Sequence, residues 1–241
     1  MTQAFAVIAA VLIAAALRYS AGFGFSLAFV PLATLVIGFP DAVRLAVLFE
    51  VLVGALTAYV YRRELRILDA LSLKVAALCG AALGTWLKPL LPAAVVIVTS
   101  MGVIVLLCVA LLRNLALTFR PSAIGRMAAG LSSGWLNSWS SMSGPPIVLY
   151  LLATDKSASS VKGRLVGYFA LLYPVTLALM AGAGEYRGFS FWPLAAAGLV
   201  LIAALHRLLR RLEISDVRRL RRTALIVILI AATVILVKGL L

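Results

Sequence analysis

The sequence predicts an all-α polytopic membrane protein: two inverted repeats, each a broken or re-entrant helical hairpin followed by three transmembrane helices. Three observations carry this. The first is composition. Of 241 residues, 64% are hydrophobic and 12% charged, against roughly 45–50% and about 25% in a soluble domain. Apolar runs long enough for a helix to cross a bilayer recur along the whole chain.

The second observation is duplication. Residues 18–31, RYSAGFGFSLAFVP, are echoed 119 positions later by residues 137–150, NSWSSMSGPPIVLY. Both are Gly/Ser/Pro-rich breaks inside apolar sequence. The hexapeptide from Arg44 to Phe49, RLAVLF, is matched at an offset of 120 by RLVGYF from Arg164 to Phe169. The offset is half the chain. An internal repeat with a helix-breaking segment in each half points to a substrate site between the repeats.

The third observation is the distribution of charge. With a returning hairpin and three spans in each half, one membrane face carries 17 of the 22 Lys and Arg residues: Arg62, Arg63, Arg66, Lys74, Arg113, Arg120, Arg126, Lys156, Lys162, Arg164 and seven arginines between 207 and 222. The other face carries Arg44, Lys88, Arg187 and Lys238, and Arg18 lies in the first break. Four crossings per half would destroy this asymmetry, so positive-inside counting selects the inverted arrangement. It places the basic loops in the cytoplasm, both termini on the opposite side, and the chain in the cell (inner) membrane.

The elements follow in order. The N-terminal repeat, 1–119, opens with a hairpin over about 4–38. Its first arm, Ala4 to Leu17, is short for a ~30 Å hydrocarbon core, and lacks the basic n-region of a secretory signal, so it reads as mature sequence. Glycines 22 and 24 separate it from the second arm, Phe25 to Gly38. Asp41 is the expected N-cap of the span 42–61. Spans at about 68–87 and 93–112 complete the repeat, and Gly80 and Gly84, four apart, are expected at a helix–helix approach. The C-terminal repeat, 120–241, has its hairpin over about 124–154, with Met127 to Leu136 as first arm, and spans at about 165–181, 191–205 and 223–240. Pro174 should kink the first of these. Cys79 and Cys108 match no metal or disulfide spacing and are assigned to packing.

Chemistry concentrates at the breaks. An arginine at membrane depth costs about 2.5–3.5 kcal/mol to insert, so Arg18 should face the interior and have a partner. Its repeat equivalent is Asn137. If the hairpin tips meet near the midplane, they gather Arg18, Tyr19, Ser20, Gly22 and Gly24 with Asn137, Ser138, Trp139, Ser140, Ser141, Ser143 and Gly144. Free N–H groups at helix starts, a partial positive dipole and one fixed cation make an anion site. A guanidinium fork with hydroxyl donors suits a tetrahedral oxoanion. The alternative is that Arg18 snorkels to the surface.

Glu50, the carboxylate set deepest in a span, is a candidate to pair with Arg18, to carry a coupling proton, or to sit protonated. Arg44 and Arg164 are candidates for gating or for interfacial anchoring. Trp139 and Tyr168 either line the pocket or pack. His206 has no companion ligands and is not a metal site.

Other function classes are set aside. The net charge of +14 lies in short clusters between apolar spans, which fits topology and anionic lipid rather than nucleic acid. The serines of the second break have no His/Asp base beside them, so no enzyme is expected. No metal or other cofactor is called for. The expected partners are the lipid bilayer and a small anion, with a homodimer left open.

The break GFGFSLAFVP, from Gly22 to Pro31, resembles the glycine-rich signature of the sulfite exporter TauE/SafE family. The second copy, SMSGPPIVLY, resembles that family's C-terminal Gly-Gly-Pro version, with Gly144-Pro145 in register. The resemblance spans essentially the whole chain. It departs at Phe25 and Ser26, and at Ser141 and Ser143, where signature glycines are replaced. What it implies is a secondary transporter, an exporter of sulfite or an organosulfonate such as sulfoacetate by alternating access. An anion channel and a transporter of another carboxylate or metabolite anion are the alternatives.

Overall fold

The computed structural model describes residues 2–21, 24–63, 71–113, 122–154, 158–209 and 217–240. Among them the regular structure is entirely helical. The helices are α1 (Thr2–Ala21), α2 (Phe25–Ile37), α3 (Phe39–Val60), α4 (Leu71–Leu87), α5 (Ala93–Leu112), α6 (Ala123–Ser140), α7 (Gly144–Thr154), α8 (Ala158–Gly182), α9 (Trp192–Leu209) and α10 (Val217–Leu240). A 3-10 turn, Lys88–Leu90, follows α4. By length and apolarity, Phe39–Val60, Leu71–Leu90 and Gly163–Gly182 are each able to cross a membrane. Shorter apolar helices cover Gln3–Arg18, Phe25–Ile37, Ala93–Leu106, Trp192–His206 and Ile228–Lys238. Large apolar side chains such as Phe5, Trp86, Leu106, Val200 and Ile230 are exposed, as suits surfaces that a bilayer covers.

The chain divides into two compact units, and each takes helices from both halves of the sequence. The first comprises Met1–Leu52, Leu91–Leu115 and Arg187–Leu241; the second comprises Val53–Leu90 and Ala116–Tyr186.

In the first unit α1 packs on α2, α9 and α10, and α10 packs on α5 and α2. Helix α2 is buried from Phe25 to Pro31, so it is a core helix apolar all round rather than a surface one. Its rings set the core: Phe25 stacks on Phe29 at 5.6 Å, and Phe49 meets Phe29 edge-on at 5.3 Å. Helix α9 passes over this cluster at Gly198, where any Cβ would collide with the Phe49 ring.

The second unit is built on the α4–α6 pair. Gly80 and Gly84 of α4 face Gly130 and Gly134 of α6. A Cβ at Gly80 would overlap the Leu131 carbonyl, and one at Gly134 would overlap the Ala77 carbonyl. The two backbones therefore touch, which only glycine permits. Helices α7 and α8 pack on α6, and α8 also packs on α4. An ion pair of 2.6 Å joins Lys88, after α4, to Glu185, after α8.

Several boundaries differ from the sequence reading, each for a physical reason. The first arm runs to Ala21 rather than Leu17. Arg, Tyr and Ser do not stop a helix, and the stop waits for the glycines. At 20 residues and ~1.5 Å per residue, α1 is about 30 Å long. The first arm of the second hairpin, α6, likewise carries Asn137 to Ser140 in its last turn, and α8 begins at Ala158 instead of about 165. Asp41 is not the N-cap of α3. That helix starts at Phe39, with Pro40 in its first turn, where a missing N–H costs nothing. The Ala42 N–H bonds to the Gly38 carbonyl, and Asp41 pairs with Arg44 at 2.6 Å. Cys108 is buried as expected, but Cys79 is exposed on α4.

Candidate functional site

The two breaks are built differently. In the first, α1 ends at Ala21 and α2 starts after Gly24, whose φ of 96° and ψ of 14° are left-handed. Glycine takes that conformation without the penalty a Cβ brings. The Ala28 N–H closes the first turn of α2 onto the Gly24 carbonyl at 3.2 Å.

Glu50 reaches this helix start from α3. Its Oε1 accepts from the Ser26 N–H at 3.3 Å and from the Ser26 hydroxyl at 3.0 Å. Its Oε2 lies 3.8 Å from Nη1 of Arg18, in the last turn of α1. Arg18 is 3% exposed and Glu50 1%. A carboxylate thus occupies the positive end of α2 beside a buried guanidinium. The expectation that Arg18 has an interior partner is met by Glu50, and snorkelling is excluded by its burial. Tyr19 and Ser20 lie in the last turn of α1; their side chains, and Gly22, fall outside the described residues.

In the second break Ser141 caps α6 in the left-handed region, with φ 59° and ψ 20°, and its N–H bonds to the Asn137 carbonyl at 2.7 Å. Two hydrogen-bond chains hold the segment. Tyr168 donates to Ser133 at 2.6 Å, and Ser133 donates to the Ser143 carbonyl at 2.5 Å. Ser143 donates to the Tyr173 hydroxyl at 3.2 Å, which donates to the Ser141 carbonyl at 3.1 Å. The Ser141 and Ser143 carbonyls are therefore held by side chains of α8 and α6. Helix α7 then starts at Gly144, with Pro145 and Pro146 in its first turn, where the absent N–H groups cost least.

The predicted residues of this copy lie together on the last turns of α6 and the break, and all are buried. Their polar atoms have specific engagements. Ser138 donates to the Ala81 carbonyl at 2.7 Å, Trp139 Nε1 to the Gly84 carbonyl at 3.1 Å, and Ser140 to the Leu136 carbonyl at 2.8 Å. Each of these groups has one hydrogen to give, and it is directed at a backbone oxygen. Ser138 and Trp139 thereby fasten α6 to α4. Asn137 Nδ2 donates to Thr176 at 2.7 Å, while its buried Oδ1 makes no hydrogen bond.

The remaining candidates are more ordinary. Arg44 pairs locally with Asp41 and is about one-quarter exposed. Arg164 is half-buried in α8. Three features escaped the sequence reading. The Gly130/Gly134 spacing was visible in the chain and repeats the Gly80/Gly84 signal. Ser26 as the Glu50 partner lies 24 residues away, and Tyr173 lies 32 residues from Ser141. Neither pairing has a local signature.

The chain matches the model of the family described as Sulfite exporter TauE/SafE over residues 7–235. No curated protein and no solved structure matches it.

Proposed function

The chain belongs to the sulfite exporter TauE/SafE family, a family of membrane transporters and not of enzymes, and on that premise we propose that it exports a small sulfur-containing anion, sulfite or an organosulfonate such as sulfoacetate. The observation that carries this reading is Arg18. It is a buried cation at the foot of α1, beside the N-terminus of α2, where a carboxylate already sits. A position that holds one carboxylate between a guanidinium and a helix start has the chemistry to hold a sulfonate or sulfite. In this proposal Arg18 reads the anion beside Gly24 and the start of α2, and the sequence candidates Tyr19, Ser20 and Gly22 remain part of the proposed site.

Alternating access between inverted repeats is part of the proposal. Two things support it. Helices α2 and α7 begin 119 residues apart, as do α3 and α8, which matches the offset of the sequence repeat. Each unit also exchanges a helix: α4, from the first half, packs on α6, and α9, from the second, packs on α1. The excess of Lys and Arg in the loops supports placing those loops in the cytoplasm.

Counterflow of labelled sulfite and sulfoacetate in proteoliposomes tests the reading, with wild type beside Arg18→Ala and Arg18→Lys. Saturable counterflow is expected in the wild type, lost in both variants, because lysine supplies a point charge without the fork. Full activity in Arg18→Ala would remove the anion from this site. Flux without saturation or counterflow would indicate a channel.

A further inference from the structure

We propose that the outer groove between α1 and α9 binds one anionic phospholipid, an acyl chain lying in the groove and the phosphate held at its Arg207 end. This goes beyond anion export and does not draw on the Arg18 site.

Small residues make the groove. Ala196, Ala197 and Ala204 of α9, with Val200 and Leu201 among them and Ile8 of α1 opposite, enclose about 550 Å³ with an apolar lining. That is the size of an ordinary small-ligand pocket. The groove is open on its outer side, where Val200 is 70% exposed and the three alanines are exposed as well. In a membrane protein that side meets hydrocarbon. An acyl chain gains no hydrophobic energy by leaving lipid for protein. It does gain van der Waals contact where two helices wall it in.

Length and charge select the lipid. Positions 196, 200, 204 and 207 follow one another along one face of α9 by helical spacing. Eleven positions separate Ala196 from Arg207, about 16 Å along the axis at ~1.5 Å per residue. Half of a ~30 Å hydrocarbon core is about the same. A lipid with its headgroup level with Arg207 therefore has a chain that reaches the far end of the groove. Arg207 opens the densest basic run of the sequence, residues 206–222, with seven arginines against Glu213 and Asp216. Neither wall helix carries an acidic residue. Positive charge at the mouth and none of the opposite sign along the walls suit a phosphate with net negative charge. A second copy of the chain docked by two-fold symmetry would instead bring like charge to like charge.

Native mass spectrometry of the purified full chain in detergent tests this. The probes are phosphatidylglycerol, phosphatidylcholine with the same chains, and glycerol phosphate. Wild type is expected to retain one phosphatidylglycerol several-fold more tightly than phosphatidylcholine, and to retain no glycerol phosphate. Arg207→Gln should weaken phosphatidylglycerol about fivefold, the worth of one arginine near an anionic surface, and leave phosphatidylcholine unchanged. Ala197→Leu with Ala204→Leu fills the groove from exposed positions and should abolish the tight adduct. Equal retention of the two lipids by wild type overturns the proposal, and so does glycerol phosphate held as tightly as the lipid. A preference that survives the filled groove overturns it too, because the arginines then hold lipid without the groove. So does a wild-type mass of two chains that falls to one when the groove is filled, which would make the groove a seam between copies. If the filled variant does not fold, Arg207→Gln and glycerol phosphate decide.

Discussion

The two breaks descend from matching stretches of sequence, yet one holds charge and the other holds shape. At the first, a buried arginine and a buried glutamate face each other across 3.8 Å, and the helix start beside them is seated on that same glutamate. At the second, no charged side chain takes part in the hydrogen-bond network among the described residues. Hydroxyls and one amide are arranged at 2.5–3.2 Å around two carbonyls and a helix interface. A loose ionic contact is easy to rearrange and expensive to leave unbalanced. A braced neutral joint is the reverse. On the proposed function, that difference makes the first break the candidate for anion handling and the second a structural joint.

The largest expected effect follows from the charge. Arg18→Ala leaves Glu50 buried without its cation, and removing one partner of a buried pair costs about 3–5 kcal/mol. Denaturant or thermal unfolding in detergent should show that loss. Adding Glu50→Gln should restore most of the stability, because nothing ionised is then stranded, while counterflow stays lost. Equal instability of the single and double variants would mean that the pair is not energetically coupled.

A smaller effect is expected from the second break. Tyr173→Phe removes the hydroxyl that donates to the Ser141 carbonyl and accepts from Ser143. Leaving these buried groups unsatisfied should cost about 1–3 kcal/mol. Counterflow measured in proteoliposomes should persist once the variant is folded. A variant that keeps its stability and loses its transport would reverse the assignment, making this joint part of the anion's route.

The contrast also explains what could be read from the chain. Both breaks were visible because Gly, Ser and Pro act locally, and Gly24 and Ser141 do sit in the left-handed conformations that end or start helices. Arg18 stood out because its cost at membrane depth is a property of one residue. The last turns, 18–21 and 137–140, are helical although polar, because Arg, Tyr, Asn and Ser do not by themselves stop a helix; at the second break the helix ends where φ turns positive at Ser141. Serine is the most ambiguous letter here. Ser140 turns back on its own helix, Ser138 crosses to α4, and Ser26 seats a carboxylate. The same side chain serves all three, and only tertiary placement decides which.

The smallest expected effect compares the turns themselves. Gly24 and Ser141 both adopt positive φ, but only the first is glycine. A residue with a Cβ in the left-handed region gives up roughly 1–2 kcal/mol, and glycine in exchange loses more chain entropy on folding, about 0.5–1 kcal/mol. Ser141→Gly should therefore be neutral or stabilising by up to about 1.5 kcal/mol, which in a chain of this size raises Tm by at most ~3–6 °C. Ser141→Ala keeps the strain, so it should show no gain. At the first break the change runs the other way. A Cβ on Gly24 finds ordinary contact, 3.5 Å from Leu17 Cδ2, so Gly24→Ala carries the conformational penalty without a clash. Opposite signs for Ser141→Gly and Gly24→Ala, read by thermal unfolding, would show that the backbone turn sets stability at both breaks. A loss in Ser141→Gly that Ser141→Ala does not share would instead show that glycine's chain entropy outweighs the relief of the turn.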